Sequence, residues 1–205
     1  MRRLPMFPLG TVLVPFAHLP LHMFEPRYRA LTRDCLAGDG EFGVVLIERG
    51  QEVGGGDARF DVGTVAHINQ AVELPDGRWL IDAVGTERIR VQHWLPEDPY
   101  PTALVEALPD EEPGPEAGTL RDGVERLLRR VLALQVELGF PAPSATLDLD
   151  PEPGRAAYQA AILSPLGPMD IQGLLEENGP DGRLRQLHAL LEDARDLLSR
   201  RMVEG

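Results

Sequence analysis

"HLPLHMFEPRYRALTRDCL", residues 18–36, changes character halfway along. As far as Met23 it is an alternating apolar stretch, the period of a strand with one buried face. Past Pro26 it reads as a helix of about a dozen residues, with the proline ring in the first turn and Cys35 and Leu36 near the end. Glu25 stands at the corner between them. Its carboxylate is placed to accept backbone N–H groups and to favour the helix dipole. Two compatible readings follow. Glu25 and Pro26 form a structural corner that locks strand and helix in register. Met23, Phe24, Glu25, Arg27 and Tyr28 are also candidates to line a binding groove, because Arg and Tyr anchor interfaces more than other residue types.

Strand grammar extends on both sides of this corner. Short apolar bursts recur up to about residue 108: "LPMFPLG", "HLPLHMF", "FGVVLIE", "VGTVAHINQAVEL", "RWLIDAVG", "RIRVQHWL" and "TALVEAL". Asp76-Gly77, in "ELPDGRW", predicts a hairpin turn. "GQEVGGGDARFDVGT", residues 50–64, predicts a surface loop; no helix pattern follows it, so a phosphate cradle is improbable. Many short strands in one unit favour a closed or nearly closed barrel, which removes exposed edges.

The grammar changes at "PDEEPGPEAG", residues 109–118, an acidic, proline-rich linker. Beyond it Val124, Leu127, Leu128, Val131 and Leu134 share one helical face, with Thr119 as the expected cap and Gly139 as the stop. Further helices are expected over "RAAYQAAIL", "PMDIQGLLEEN" and about Arg183 to Arg201. On the last, Leu184, Leu187, Leu191, Ala194 and Leu198 form a stripe that predicts a bundle helix rather than a coiled coil.

Composition excludes several chemistries. Of 205 residues, 20 are basic and 33 acidic, a net charge of −13, which disfavours nucleic acid and anionic membrane as partners. All 20 basic residues are arginine, so a Walker lysine, a Schiff base and a Ser-Lys dyad are absent. Ser144, Ser164 and Ser199 lie in no nucleophile elbow. Cys35 is the one cysteine and reads as a small buried hydrophobe. The start "MRRLPMFPLG" makes neither a signal peptide nor a span, so a cytoplasmic location is expected.

Other candidate sites are weaker. His18 and His22 flank Pro20 and share a strand face rather than a helical metal-ligand face. Asp148, Asp150 and Glu152 alternate oxygen ligands, but Pro153 takes the place where a calcium loop needs glycine, so helix-start solvation is the expected role. Trp79, Trp94 and Tyr100 could form an aromatic cage, though strand-borne aromatics are more often core. No metal and no cofactor is expected.

"LPMFPLGTVLVPFAHLPLHMFEPRYRALTRDCLAGDGEFGVVLI" resembles the amino-terminal domain of the ATP-dependent protease Lon, also found in cereblon. The match continues through "VGTVAHI", "DGRWLIDAVGTERIRV", "PYPTALVE" and "GRAAYQAAILSPLGPMDIQGLLEENGPDGRLRQLHALLE". The resemblance implies an α+β fold: a PUA-like β-barrel of about six strands plus one helix over residues 1–108, the linker 109–118, and an α-helical bundle over 119–205. In Lon this region recognises damaged or unfolded substrates and helps assemble the particle, while the ATPase and the Ser-Lys peptidase lie further along. With the chain ending at Gly205, both are expected to be missing.

The expectation is therefore a non-enzymatic recognition module that binds peptide or unfolded-protein segments through apolar surface between barrel and bundle. Met6, Met23 and Met169 are the flexible side chains suited to promiscuous contact. The alternative is an adaptor that acts on a protease or another folded partner. RNA binding is suggested by architecture alone, and the charge opposes it. The purified chain should neither hydrolyse ATP nor cleave unfolded casein. Turnover above a mock preparation that disappears on mutating one of its residues would overturn this.

Overall fold

A computed structural model describes residues 1–49 and 58–204. In the first unit, Met1–Pro109, the strands are β1 (Arg2–Leu9), β2 (His18–Met23), β3 (Glu41–Arg49), β4 (Ala58–Glu73), β5 (Trp79–Leu95) and β6 (Thr102–Ala107). Helix α1 (Pro26–Ala37) follows β2 after two residues. The hairpin forms at Asp76-Gly77, where Gly77 takes a φ of 78° and Leu74 donates to the Arg78 carbonyl. "RWLIDAVG" and "RIRVQHWL" are not two strands. They join into the 17-residue β5. Gly85 lies between its halves because a Cβ there would stand 2.3 Å from the Val14 carbonyl oxygen. Of the loop expected over 50–64, residues 58–64 are β4 and 50–57 lie outside the described residues.

The strand order is β2-β5-β4-β3-β1-β6, and β5 pairs with β6 as well. β5 therefore has two partners in succession: β2 along Trp79–Val84 and β6 along Ile89–Leu95. The second half closes a ring of β5, β4, β3, β1 and β6. The first half does not close. Among the described residues, β2 pairs with β5 alone, and β6 reaches β1 only over Arg2–Pro5, which leaves Phe7–Leu9 paired to β3 alone. The prolines fit this pattern. Met6 donates to Pro101 on the β6 side, so Pro8 in the same phase also turns its backbone away from β3. Gly85 donates to the Ala17 carbonyl, so β2 bonds to β5 through its odd residues and Pro20 removes no ladder donor.

Two buried clusters fill this unit. Met6, Val45, Val65, Ile89 and Val105 lie among the residues of one, and Phe7, Leu19, Met23, Phe42 and Ile81 among those of the other. α1 adds Tyr28, Leu31 and Cys35 to the second. Burying an apolar side chain of this size contributes about 2 kcal/mol.

In the second unit, Asp110–Gly205, helices α2 (Ala117–Glu137), α3 (Pro153–Leu163), α4 (Pro168–Glu176) and α5 (Pro180–Glu204) surround one core. The leucine stripe of α5 enters it, with Leu184, Leu187 and Leu191 fully buried. Thr119 does not cap α2. The helix starts two residues earlier, with Glu116 in the cap position and no side-chain bond there. Arg183 is 0% exposed; it forks onto Asp110 at 2.9 and 3.0 Å, donates to the Leu174 carbonyl at 3.0 Å, and stacks on Tyr158. Gly114 also donates to Asp181, so the acidic stretch 110–114 is tied to the start of α5.

Glu152 is a true cap, since its two carboxylate oxygens accept from the Gly154 and Arg155 amides at 2.8 and 2.7 Å. Glu152→Ala should cost about 1 kcal/mol, about 3 °C of melting temperature at this chain length. Thr119→Ala, which removes no cap, should leave the midpoint unchanged in the same thermal denaturation.

Candidate functional site

The open half of the sheet carries an apolar pocket of about 130 Å³. Its walls come from both unclosed edges, Phe7 and Leu9 of β1 and Leu21 and Met23 of β2, with Phe24 and Tyr28 contributed by the corner. Tyr28 is buried, and its ring meets Phe7 edge-on at 4.4 Å. Phe24 is 53% exposed at the rim.

The corner is built differently from the expectation. Glu25 makes no side-chain cap. Its carbonyl accepts from the Tyr28 and Arg29 amides at 3.1 and 2.9 Å, which leaves the carboxylate for Arg27 Nε at 3.2 Å. Pro26 supplies the first helical φ, as Pro153 does for α3, but here the carboxylate turns to Arg27 rather than to the first-turn amides. Arg27 lies over the Tyr28 ring at 4.5 Å and reaches Glu97 at 3.8 Å; Glu97 also accepts from Arg59 at 2.7 Å, and Arg59 stacks on Trp94. These alternating charges hold α1, the start of β4 and the β5–β6 connection together.

Burial sorts the other side chains that the sequence offered. Met6 is 0% exposed and Met23 1%, the latter facing inward as a wall of the pocket, whereas Met169 is 63% exposed in the second unit. Trp79 and Tyr100 pack on the cluster beneath α1 and Trp94 on the other, in keeping with core aromatics rather than a cage. Glu152 caps α3, and Asp148 pairs with Arg129 at 2.5 Å, in keeping with helix-start and loop solvation. His18 contacts Asp82 at 3.4 Å, and no metal-binding group of His, Cys, Asp and Glu occurs among the described residues. No helix among them is long and apolar enough to cross a membrane.

Other residues were missed. Phe16, with a φ of 68° and an exposed ring, precedes β2. Val72 and Leu80 are exposed and stand in one cross-strand row with His22, whose ring lies 6.0 Å from Phe24. This row continues the rim of the pocket onto the outer face of the sheet. The signal was legible: Leu80 has the same strand parity as Asp82, so it is an apolar residue in a polar phase.

Burial, with Asp39 and Asp34 nearby, pushes the Cys35 thiol up to about 12. Since the thiolate is the reactive form, native Cys35 should react with a disulfide reagent at pH 8 more than about a hundredfold slower than the unfolded chain. Rapid reaction of the native protein would contradict this burial.

Comparison with known proteins accords with the fold. Residues 3–193 match the family described as the ATP-dependent protease La (LON) substrate-binding domain. Lon protease 2 of Herpetosiphon aurantiacus is 30% identical over 202 residues, which is 95% of this chain and 24% of that protein. Lon protease of Koribacter versatilis is 31% identical over 197 residues, 91% of this chain and 23% of that protein. The chain thus spans about a quarter of the length of these curated relatives. A Lon N-terminal domain protein from Xanthomonas campestris superposes with a TM-score of 0.66 at 31% identity, covering 92% of this chain and 98% of that one. The N-terminal domain of the Mycobacterium avium complex Lon protease shares the fold, with a TM-score of 0.69 at 19% identity over 94% of this chain and 99% of that one. The chain belongs to the ATP-dependent protease La (LON) substrate-binding domain family.

Proposed function

We propose that this chain is a non-enzymatic, cytoplasmic recognition module that binds unfolded or flexible polypeptide in the pocket at the unclosed edge of its barrel. The observation that carries this reading is an apolar pocket rimmed by a solvent-exposed phenylalanine, Phe24, in a family described by substrate binding. Phe24 supplies the contact. Tyr28 is the wall, Arg27 holds that wall from above, and Met23 and Glu25 position the corner. Leu80 and Val72 extend the apolar contact outward.

The nucleophile inventory supports a non-catalytic role. Ser164 donates to the Ala161 carbonyl, Ser144 bonds with Thr146, and the Cys35 thiol is held neutral by burial. A net charge of −13 opposes phosphate binding.

Reduced, carboxymethylated α-lactalbumin is a suitable unfolded probe. It should bind in the micromolar range, about −8 kcal/mol at best, and the affinity should survive a rise in salt because apolar burial is not screened. Phe24→Ala should weaken this at least about fivefold, a loss of about 1 kcal/mol, with an unchanged melting temperature. Tyr28→Ala is unsuitable as a probe, since emptying that buried ring site should cost about 3 kcal/mol of stability. The reading fails if the unfolded probe does not bind, or if labelled RNA binds with a steep salt dependence.

A further inference from the structure

The free edge of β2 states what kind of backbone it can accept. Its odd residues bond to β5, so His18, Pro20 and His22 turn their main-chain groups away from the sheet. Among the described residues, no partner is found for the His18 and His22 amides or for the three carbonyls. All three residues are exposed. The same strand sends Leu21 and Met23 inward to the pocket, so the edge and the pocket are consecutive features of one six-residue strand.

Charge fixes a further property of the occupant. On the outer face that β2 shares with β5 and β4, His18–Val84, Pro20–Asp82 and His22–Leu80 stand opposite one another. Among the described residues, Asp82 is the one carboxylate that these strands place on that face, and they place no arginine there. Its contact is the His18 ring at 3.4 Å. Pro20, between Asp82 and the free edge, is compact enough for a long cationic side chain to reach across.

We propose that polypeptide binds here by strand addition: an extended, basic segment pairs antiparallel with the outer edge of β2, places one leucine-sized side chain in the pocket, and directs a lysine or arginine across Pro20 to Asp82. This rests on the polypeptide-binding reading and adds its mode and charge preference. The ladder holds at most five bonds, because His18 and His22 each exchange two and Pro20 only accepts. Main-chain bonds then give sequence-tolerant affinity, and the alternate side chains give preference.

The test uses a synthetic peptide of alternating lysine and leucine, with the full chain. Leucines facing the pocket put the lysines opposite His18, Pro20 and His22, so the lysine amides are the ones that bond to β2. N-methylation of the lysine amides should weaken binding about tenfold, a loss of about 1.4 kcal/mol. Methylation of the leucine amides should leave it within about twofold, well under 1 kcal/mol. In hydrogen exchange the His18 and His22 amides should gain protection on binding. Asp82→Asn should weaken the lysine peptide and leave a serine-for-lysine analogue unchanged. Equal sensitivity at both sets of amides, or binding without protection of His18 and His22, overturns strand addition while leaving Phe24-dependent binding of unfolded lactalbumin intact. If lactalbumin also fails to bind, the recognition reading falls with it.

Discussion

The architecture of the first unit depends on one strand serving two neighbours along the same edge. β5 runs from the hairpin to the turn before β6 without interruption, and its two halves are satisfied by β2 and β6 in succession. A backbone of that length leaves its donors and acceptors nowhere else to go. Gly85 allows the change of neighbour, since the Val14 carbonyl occupies the space of a side chain. With β6 spent on one half and too short for the other, the ladder cannot close everywhere. The unclosed portion is where the pocket lies, so a hydrogen-bond constraint in the scaffold sets the position of the apolar cavity.

The corner at Phe24-Glu25-Pro26 solves the problem that this opening creates. A hydrophobic interior exposed at an unclosed edge must be covered, and α1 covers it with Tyr28, Leu31 and Cys35. That helix starts at a proline with no carboxylate cap, and Glu25 neutralises Arg27 instead. Arg27 can then lie flat on Tyr28 without remaining an isolated cation, because Glu25 and Glu97 both reach it. Guanidinium over ring, ring edge on Phe7 of β1, and Phe24 left outside form a graded series from charge to apolar surface around the corner. Structural corner and pocket rim are therefore the same residues, divided by which way each side chain points.

The division between these roles explains what the sequence could and could not convey. The α+β class, the hairpin at Asp76-Gly77 and the four helices beyond residue 117 were legible because each rests on local period or local turn chemistry. So was the position of the corner, in the change of period at Pro26. The inward direction of Met23 was also written in the alternation of "HLPLHM", yet its flexible thioether drew attention as a contact group; strand parity outranks residue type. Three things were not local. The joining of two apolar bursts into β5 depends on β2 and β6 arriving on one edge. The burial of Arg183 depends on Asp110, 73 residues away. The unbonded edge of β2 depends on the pairing order of the whole sheet, which no window of sequence contains.

Prolines give that edge its character. A long, regular, apolar edge would be a template for pairing with any other edge, including that of a second copy. Pro20 removes the central donor from β2, and Pro8 leaves the facing part of β1 with only a carbonyl in the outward phase. Two such edges meeting one another lack donors at their centres, so self-pairing is weak. In the proposed strand addition, a flexible segment with a full set of amides brings every donor this edge needs, and its side chains meet a pocket on one face and a carboxylate on the other. The asymmetry favours a chain that has not yet satisfied its own backbone over one that has, and that is the physical distinction between an unfolded polypeptide and a folded one.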